Sequence, residues 1–170
     1  MTERKLEQFQ ILNLGSGKNF IESAWNCDIN PDFKPDLVAD MSALDFPAES
    51  FREVLAKDCI DHISHAQTKA LLRKIFVWLK PNGTLTVHTP NLTRLTELIH
   101  KFPESNDGKE ALRWLYGSTG EGTTAYWSNI IRWCYSPESL REILTGIGFM
   151  VLPVTFDCNG FAFTLVAVKR

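Results

Sequence analysis

The chain has 170 residues, 44% of them hydrophobic and 22% charged, with a formal net charge of −2. That is enough for one domain with a substantial core, at the charge balance of an ordinary soluble globular protein. It excludes a large basic nucleic-acid footprint, and no apolar run approaches the length of a membrane span or a signal-peptide core. A cytoplasmic protein with no nucleic-acid or membrane partner is therefore expected. Cys27, Cys59, Cys134 and Cys158 are scattered, with no Cys-x-x-Cys pair. Reduced thiols are expected rather than a disulfide framework or a zinc site, and no metal is implied.

In chain order, Gln10–Leu14 reads as a first buried strand, Ala24–Ile29 as a second, Leu37–Asp40 as a short third and Phe51–Lys57 as a fourth. Ser64 and Gln67 have the spacing of a helix capping box. Behind them Leu71, Leu72, Ile75, Trp78 and Leu79 recur at helical spacing. Lys80–Gly83 should end that helix and turn the chain. A fifth strand, Thr84–Thr89, follows, with Leu85 and Val87 alternating against threonines. Leu92–His100 and Lys109–Tyr116 read as helices, and residues 117–124 as a mobile loop rich in glycine, serine and threonine.

Ser136, Pro137 and Glu138 form a strong helix start: a capping hydroxyl, a proline at the first helical position, and an acid near the positive end of the dipole. Leu140, Ile143, Leu144 and Ile147 share a face, and Gly146 and Gly148 close the helix. Phe149–Phe156 and Phe161–Lys169 read as two final strands joined around Asn159 and Gly160, hence antiparallel. Strands alternating with helices and then a hairpin argue for a parallel α/β sheet carrying one antiparallel strand.

The chemistry begins at Leu14–Gly17, where a hydrophobic strand runs into a glycine turn, and at Asp28, which ends the second strand. Glycines let backbone approach an adenosine-bearing ligand, and a carboxylate there takes ribose hydroxyls. Gly15 and Gly17 could also be plain turn glycines, and Asp28 or Asp40 simple end caps. Among the histidines, His62 lies just past the fourth strand, where a reacting group would sit. It suits a catalytic base, or equally a helix cap or packing residue. Asp58 and Asp61 could orient an acceptor or take its proton, or be ordinary loop acids. Trp114, Tyr116, Tyr126, Trp127, Trp133 and Tyr135 crowd one stretch with Arg132. They could bind a sugar, a heterocycle or an anionic group, build a satellite core, or form an oligomer interface such as a homodimer.

With these residues in view, the chain resembles the class I S-adenosylmethionine-dependent methyltransferases, over about residues 11–89 and again from Ser136 onward. Four pieces carry the resemblance: the glycine motif Leu12–Gly17, Asp28, the segment Leu44–Phe51 with its Phe46-Pro47 and Ser50-Phe51 pairs, and Cys59–His62 with Leu79–Gly83 after the helix. The resemblance implies a Rossmann-like three-layer sandwich, with a seven-stranded sheet whose last strand is antiparallel. The chain would be a single domain over residues 1–170, with residues 92–135 an acceptor-side insertion after the fifth strand.

The resemblance also implies a methyltransferase that uses S-adenosyl-L-methionine. Gly15, Ser16 and Gly17 would lie beneath the methionine and ribose, Asp28 on the ribose and Ile29 against the adenine. Asp40 and Met41 would meet the adenine edge, and Lys57 would offer a backbone carbonyl to the methionine amine. His62, Asp58 and Asp61 are the catalytic candidates, and Trp127, Arg132 and Trp133 the substrate-binding ones. The acceptor would be a hydroxyl or amine on a small molecule or glycan precursor.

The chain departs from the common pattern in three ways. The motif continues Lys18-Asn19 with no third glycine, and few residues precede Ile11 to cover the cofactor. Thirteen positions separate Gly15 from Asp28, so the first crossover should be a turn or a very short helix. A compact subgroup of bacterial methyltransferase-like proteins is similar on these points and in the run Tyr135–Leu140. The alternatives are a catalytically reduced scaffold subunit and a nicotinamide-dependent oxidoreductase, the latter disfavoured by the missing glycine and the hairpin.

Overall fold

A computed structural model describes residues 4–116 and 130–170. One sheet organises it, made of β1 (Ile11–Leu14), β2 (Trp25–Asp28), β3 (Leu37–Val38), β4 (Phe51–Lys57), β5 (Leu79–Pro90), β6 (Phe149–Val151), β7 (Thr155–Phe156) and β8 (Ala162–Lys169). The strand order is β3-β2-β1-β4-β5-β8-β6, with β7 also on β8. The first five strands are parallel, and β8 runs antiparallel to β5, β6 and β7. This is the Rossmann-like methyltransferase topology expected from the sequence.

The helices are α1 (His65–Trp78), α2 (Leu92–Lys101), α3 (Asn106–Tyr116) and α4 (Pro137–Ile147). The capping box expected for α1 is present: Ser64 Oγ accepts from Gln67 N–H, and Gln67 Oε1 accepts from Ser64 N–H at 3.0 Å. Ser136 caps α4 in the same way through Ser139. Alternation along β1, β4 and β5 points Leu12, Leu14, Val54, Ala56, Leu85 and Val87 to one face. There they join Leu71, Leu72, Ile75 and Trp78 of α1 and Leu140 and Leu144 of α4 in the main core. A smaller cluster of Leu95, Leu98, Ala111 and Phe161 holds α2 and α3 beyond the carboxyl end of β5.

The opposite face explains how a short first crossover works. No α-helix lies between β1 and β2 or between β2 and β3. Asn13 and Asn26, paired across β1 and β2, point away from the core face and are nevertheless buried. Asn13 Nδ2 donates to Asn19 O at 3.0 Å and to Asn26 Oδ1 at 2.9 Å. Asn26 Oδ1 also accepts from Ile21 N–H, and its Nδ2 donates to Ile21 O and Ala24 O. Two side-chain amides thus satisfy the loop's backbone groups and pin residues 19–24 to the sheet where a helix would otherwise satisfy its own. Arg4 closes the lower end, donating to Glu22 O and pairing with Asp36.

Two local expectations are corrected. Lys80–Gly83 does not delay the fifth strand. The strand starts at Leu79 and carries these residues as a bulge, with Phe51 opposite Leu79 but Glu53 opposite Thr84, and Asn82 at φ 63°. The run Phe149–Phe156 is not one strand: it breaks at residues 152–154, because Pro153 has no N–H to give the ladder. The expected loop over residues 117–124 lies outside the described residues.

Candidate active site

A cleft of about 360 Å³ opens at the carboxyl ends of β1, β2 and β4. This is where the strand order reverses direction, the usual ligand position in an open α/β sheet, and the volume lies within the roughly 300–1,000 Å³ of small-molecule sites. Of the cofactor residues expected from sequence, Gly15, Gly17, Asp28, Ile29, Asp40 and Met41 line it. Gly15 has φ 60° and Gly17 φ 49°. A side chain on Gly15 would also run into Cβ of Cys59. Close approach and left-handed backbone both require glycine at this position.

Asp28 is buried but only half used. Its Oδ2 accepts from Gly17 N–H at 2.7 Å and its Oδ1 from Asn30 N–H at 2.8 Å. A carboxylate has about four acceptor positions, so capacity remains for two hydroxyl donors. Glycine backbone beside a half-satisfied carboxylate fits a ribose, and with it the nucleoside of S-adenosylmethionine.

Ser16 and Lys57 do not line the cleft. Ser16 is buried, and the residue Lys57, expected to act through its backbone carbonyl, is exposed. The next residues, Asp58 and Cys59, line it instead. Burial pushes the Cys59 thiol up, with Asp61 and Asp58 adding to the effect. It is a protonated wall residue and not a nucleophile.

Of the three catalytic candidates, Asp58 and His62 reach the cleft and Asp61 lies behind it. His62 Nδ1 is 3.2 Å from Ile130 O. A carbonyl only accepts, so Nδ1 carries the proton and Nε2 the basic lone pair. Nε2 stands 3.7 Å from Asp61 Oδ2. Burial pushes the Asp61 carboxyl up, against the pull of His62, and its Oδ1 has no hydrogen-bond partner among the described residues.

On the acceptor side, Arg132 lines the cleft, its backbone N–H held by Asp61 O at 2.7 Å. Trp133 is not a lining residue. It is 45% exposed and stacks on His65 at 4.7 Å, with the His65 ring also near Tyr135 Oη. His65 is thus half-covered by aromatic rings rather than freely solvated. Trp127 lies outside the described residues. Lys18, Phe33, Ile63 and Gln67 also line the cleft. The sequence marked Gln67 only as a capping residue. Phe33 arrives through a one-turn helix capped by Asn30, with Pro31 first, and closed by Lys34 at φ 53°; the Asn-Pro pair was the available signal. Among the described residues no three His, Cys, Asp or Glu side chains converge as a metal site, no helix is long and apolar enough to cross a membrane, and all four cysteines are free.

Residues 5–87 match the family model described as "Methyltransferase domain". No curated protein sequence matches the chain. Solved structures do. A SAM-dependent methyltransferase from Methanosarcina mazei is 18% identical with a TM-score of 0.67, covering 96% of this chain and 93% of that one. One from Archaeoglobus fulgidus is 17% identical with a TM-score of 0.65, covering 95% and 86%. The 1,6-didemethyltoxoflavin-N1-methyltransferase of Burkholderia thailandensis, solved with S-adenosylhomocysteine, is 16% identical with a TM-score of 0.61, covering 94% and 70%. At these identities the likeness is one of fold. Residues 5–87 thus match a methyltransferase domain, and the whole chain has the fold of solved S-adenosylmethionine-dependent methyltransferases.

Proposed function

We propose that the chain moves a methyl group from S-adenosylmethionine to a hydroxyl or amine of a small molecule or glycan precursor, with His62 as the base. The carrying observation is continuity: one cleft joins Gly15, Gly17 and Asp28 to His62 and Arg132. When bound, the cofactor supplies an activated methyl on a positively charged sulfur, with a neutral thioether as leaving group. The residues then have mainly to position the acceptor. Arg132, which lines the cleft, orients it, with Trp133 next to it in the chain. His62 Nε2 takes the proton that the acceptor oxygen or nitrogen loses, while the methyl–sulfur bond breaks and the new bond forms. Asp61, buried behind, favours the resulting imidazolium.

The test is release of S-adenosylhomocysteine in the presence of panels of hydroxyl and amine compounds. With a hydroxyl acceptor, His62→Gln should lower kcat by about 10²-fold or more, with S-adenosylhomocysteine binding unchanged. Bound cofactor with no acceptor-dependent release in either panel would favour the scaffold reading. Exposed Ile130 and Trp133, at 48% and 45%, would then serve a protein contact such as a homodimer.

A further inference from the structure

We propose that Asp58, held in place by His88, takes the α-ammonium of the cofactor's methionine end, making His88 a positioning residue for cofactor selection. The inference rests on the cofactor reading above and gives the methionine amine to Asp58, which lines the cleft, in place of the Lys57 carbonyl expected from sequence.

Asp58 is the first residue past β4 and sits at φ 50°, a backbone state that side chains other than glycine rarely adopt. Two contacts hold it there, both from His88 on the neighbouring strand β5. Asp58 N–H donates to His88 O at 2.9 Å, and His88 Nδ1 donates to Asp58 Oδ1 at 2.7 Å. The strained residue is fixed by backbone and side chain at once, as a group that must present its carboxylate in one place. That carboxylate is not spent on the fold. Its Oδ2 has no partner among the described residues, and the side chain is 57% exposed within a residue that lines the cleft.

The other two acids of the cleft bond to their own turns, and Asp28 keeps its remaining capacity for the ribose. Asp40 Oδ1 accepts from Ser42 N–H and Ser42 Oγ. Both oxygens of Asp28 hold backbone N–H groups beside the glycine turn. A zwitterionic amino-acid end needs one anion and one cation. Asp58 supplies the first, and Lys18 or Arg132, both lining the cleft, the second.

The ring faces Asp58 directly, with Asp157, Lys57 and Asp61 as its other charged neighbours. The Asp58 hydrogen bond lifts its titration above the usual histidine value, against the effect of burial. Because Nδ1 donates in both protonation states of Nε2, the clamp keeps its geometry across neutral pH.

The experiment is calorimetric titration of two ligands, S-adenosylhomocysteine and 5′-methylthioadenosine, which lacks the amino-acid end. Asp58→Asn should weaken S-adenosylhomocysteine by about tenfold or more, the loss expected for one charge-assisted hydrogen bond. It should leave methylthioadenosine within about twofold, by the same reasoning that no contact to that ligand changes. His88→Ala should reproduce the selective loss in smaller measure, and His88→Gln, which keeps a donor, should recover part of it. Retained methylthioadenosine binding certifies a folded site in every variant. The proposal is overturned if the native chain binds both ligands and Asp58→Asn either binds S-adenosylhomocysteine normally or loses both ligands equally. If the native chain binds neither, the cofactor reading falls and takes this proposal with it.

Discussion

At the carboxyl ends of β1, β2 and β4 the cleft is organised by a glycine turn and a bonded carboxylate, whereas among the described residues of 92–135 only Arg132 lines it. In the first region two left-handed glycines, a carboxylate bonded to two N–H groups and an asparagine-pinned crossover set the surface. Few atoms there can change without leaving a buried donor or acceptor unpaired. In the second region the buried cluster is Leu95, Leu98 and Ala111 with Phe161, while Phe102, Tyr116, Ile130 and Trp133 remain exposed. A nucleotide-like ligand common to many enzymes calls for the first kind of wall. An acceptor that differs between enzymes calls for the second, where a side chain can change without disturbing the sheet.

Substitutions can break that contrast or sharpen it. The largest effect is expected at Gly15. Gly15→Ala puts a side chain on a residue at φ 60° and against Cys59. S-adenosylhomocysteine binding should fall by about 100-fold or more, the scale of lost close approach plus backbone strain. Calorimetry reads this directly, and native-like binding would mean that the glycine turn does not touch the ligand.

Next comes Asn26→Ala, which strands Ile21 N–H and removes one of two donors from Ile21 O and from Ala24 O. Chemical denaturation should show a loss of about 1–3 kcal/mol, the cost of leaving a buried polar group unpaired. A change below about 0.5 kcal/mol, the range of ordinary surface substitutions, would mean that the loop holds itself in place.

Trp133→Ala tests the other region. The acceptor's KM should rise several-fold, while cofactor affinity stays unchanged and stability moves by no more than about 1 kcal/mol, since the ring is half-exposed. Loss of cofactor binding would erase the distinction between the two regions.

The smallest effect concerns pH. His88 titrates higher in the fold than in the unfolded chain because Asp58 hydrogen-bonds it. The pair's contribution is therefore complete below the unfolded histidine value of about 6.5 and fades as pH rises through the folded value. Thermal melts of Asp58→Asn and native protein should converge as pH increases from 6 to 9. A gap that widens would reverse the sign of the argument.

The same contrast decides what could be read from the sequence. β4 and the α1 capping box stand where the residue pattern puts them, because a buried strand and an N-cap are local events. Gly15, Gly17 and Asp28 were legible because a backbone-built site demands particular residue types at fixed places. Cys59 under Gly15, and His88 behind Asp58, depend on which strands lie side by side, and adjacency is not written in local pattern. Pro153 is a missed signal that was available, since a proline inside a run of strand-forming residues argues against an unbroken strand. Of the acceptor residues, only Arg132 could be placed in the cleft. The aromatic residues around it give no period and no spacing from which an orientation follows.

The most direct test of the central claim is titration of S-adenosylhomocysteine into the native chain and into Asp28→Ala. The account predicts saturable one-to-one binding to the native protein. It predicts binding at least about tenfold weaker in the variant, which loses the ribose acceptor and frees the Gly17 and Asn30 N–H groups. Absence of heat and of thermal shift with the native protein, or equal affinity in the two, would contradict it.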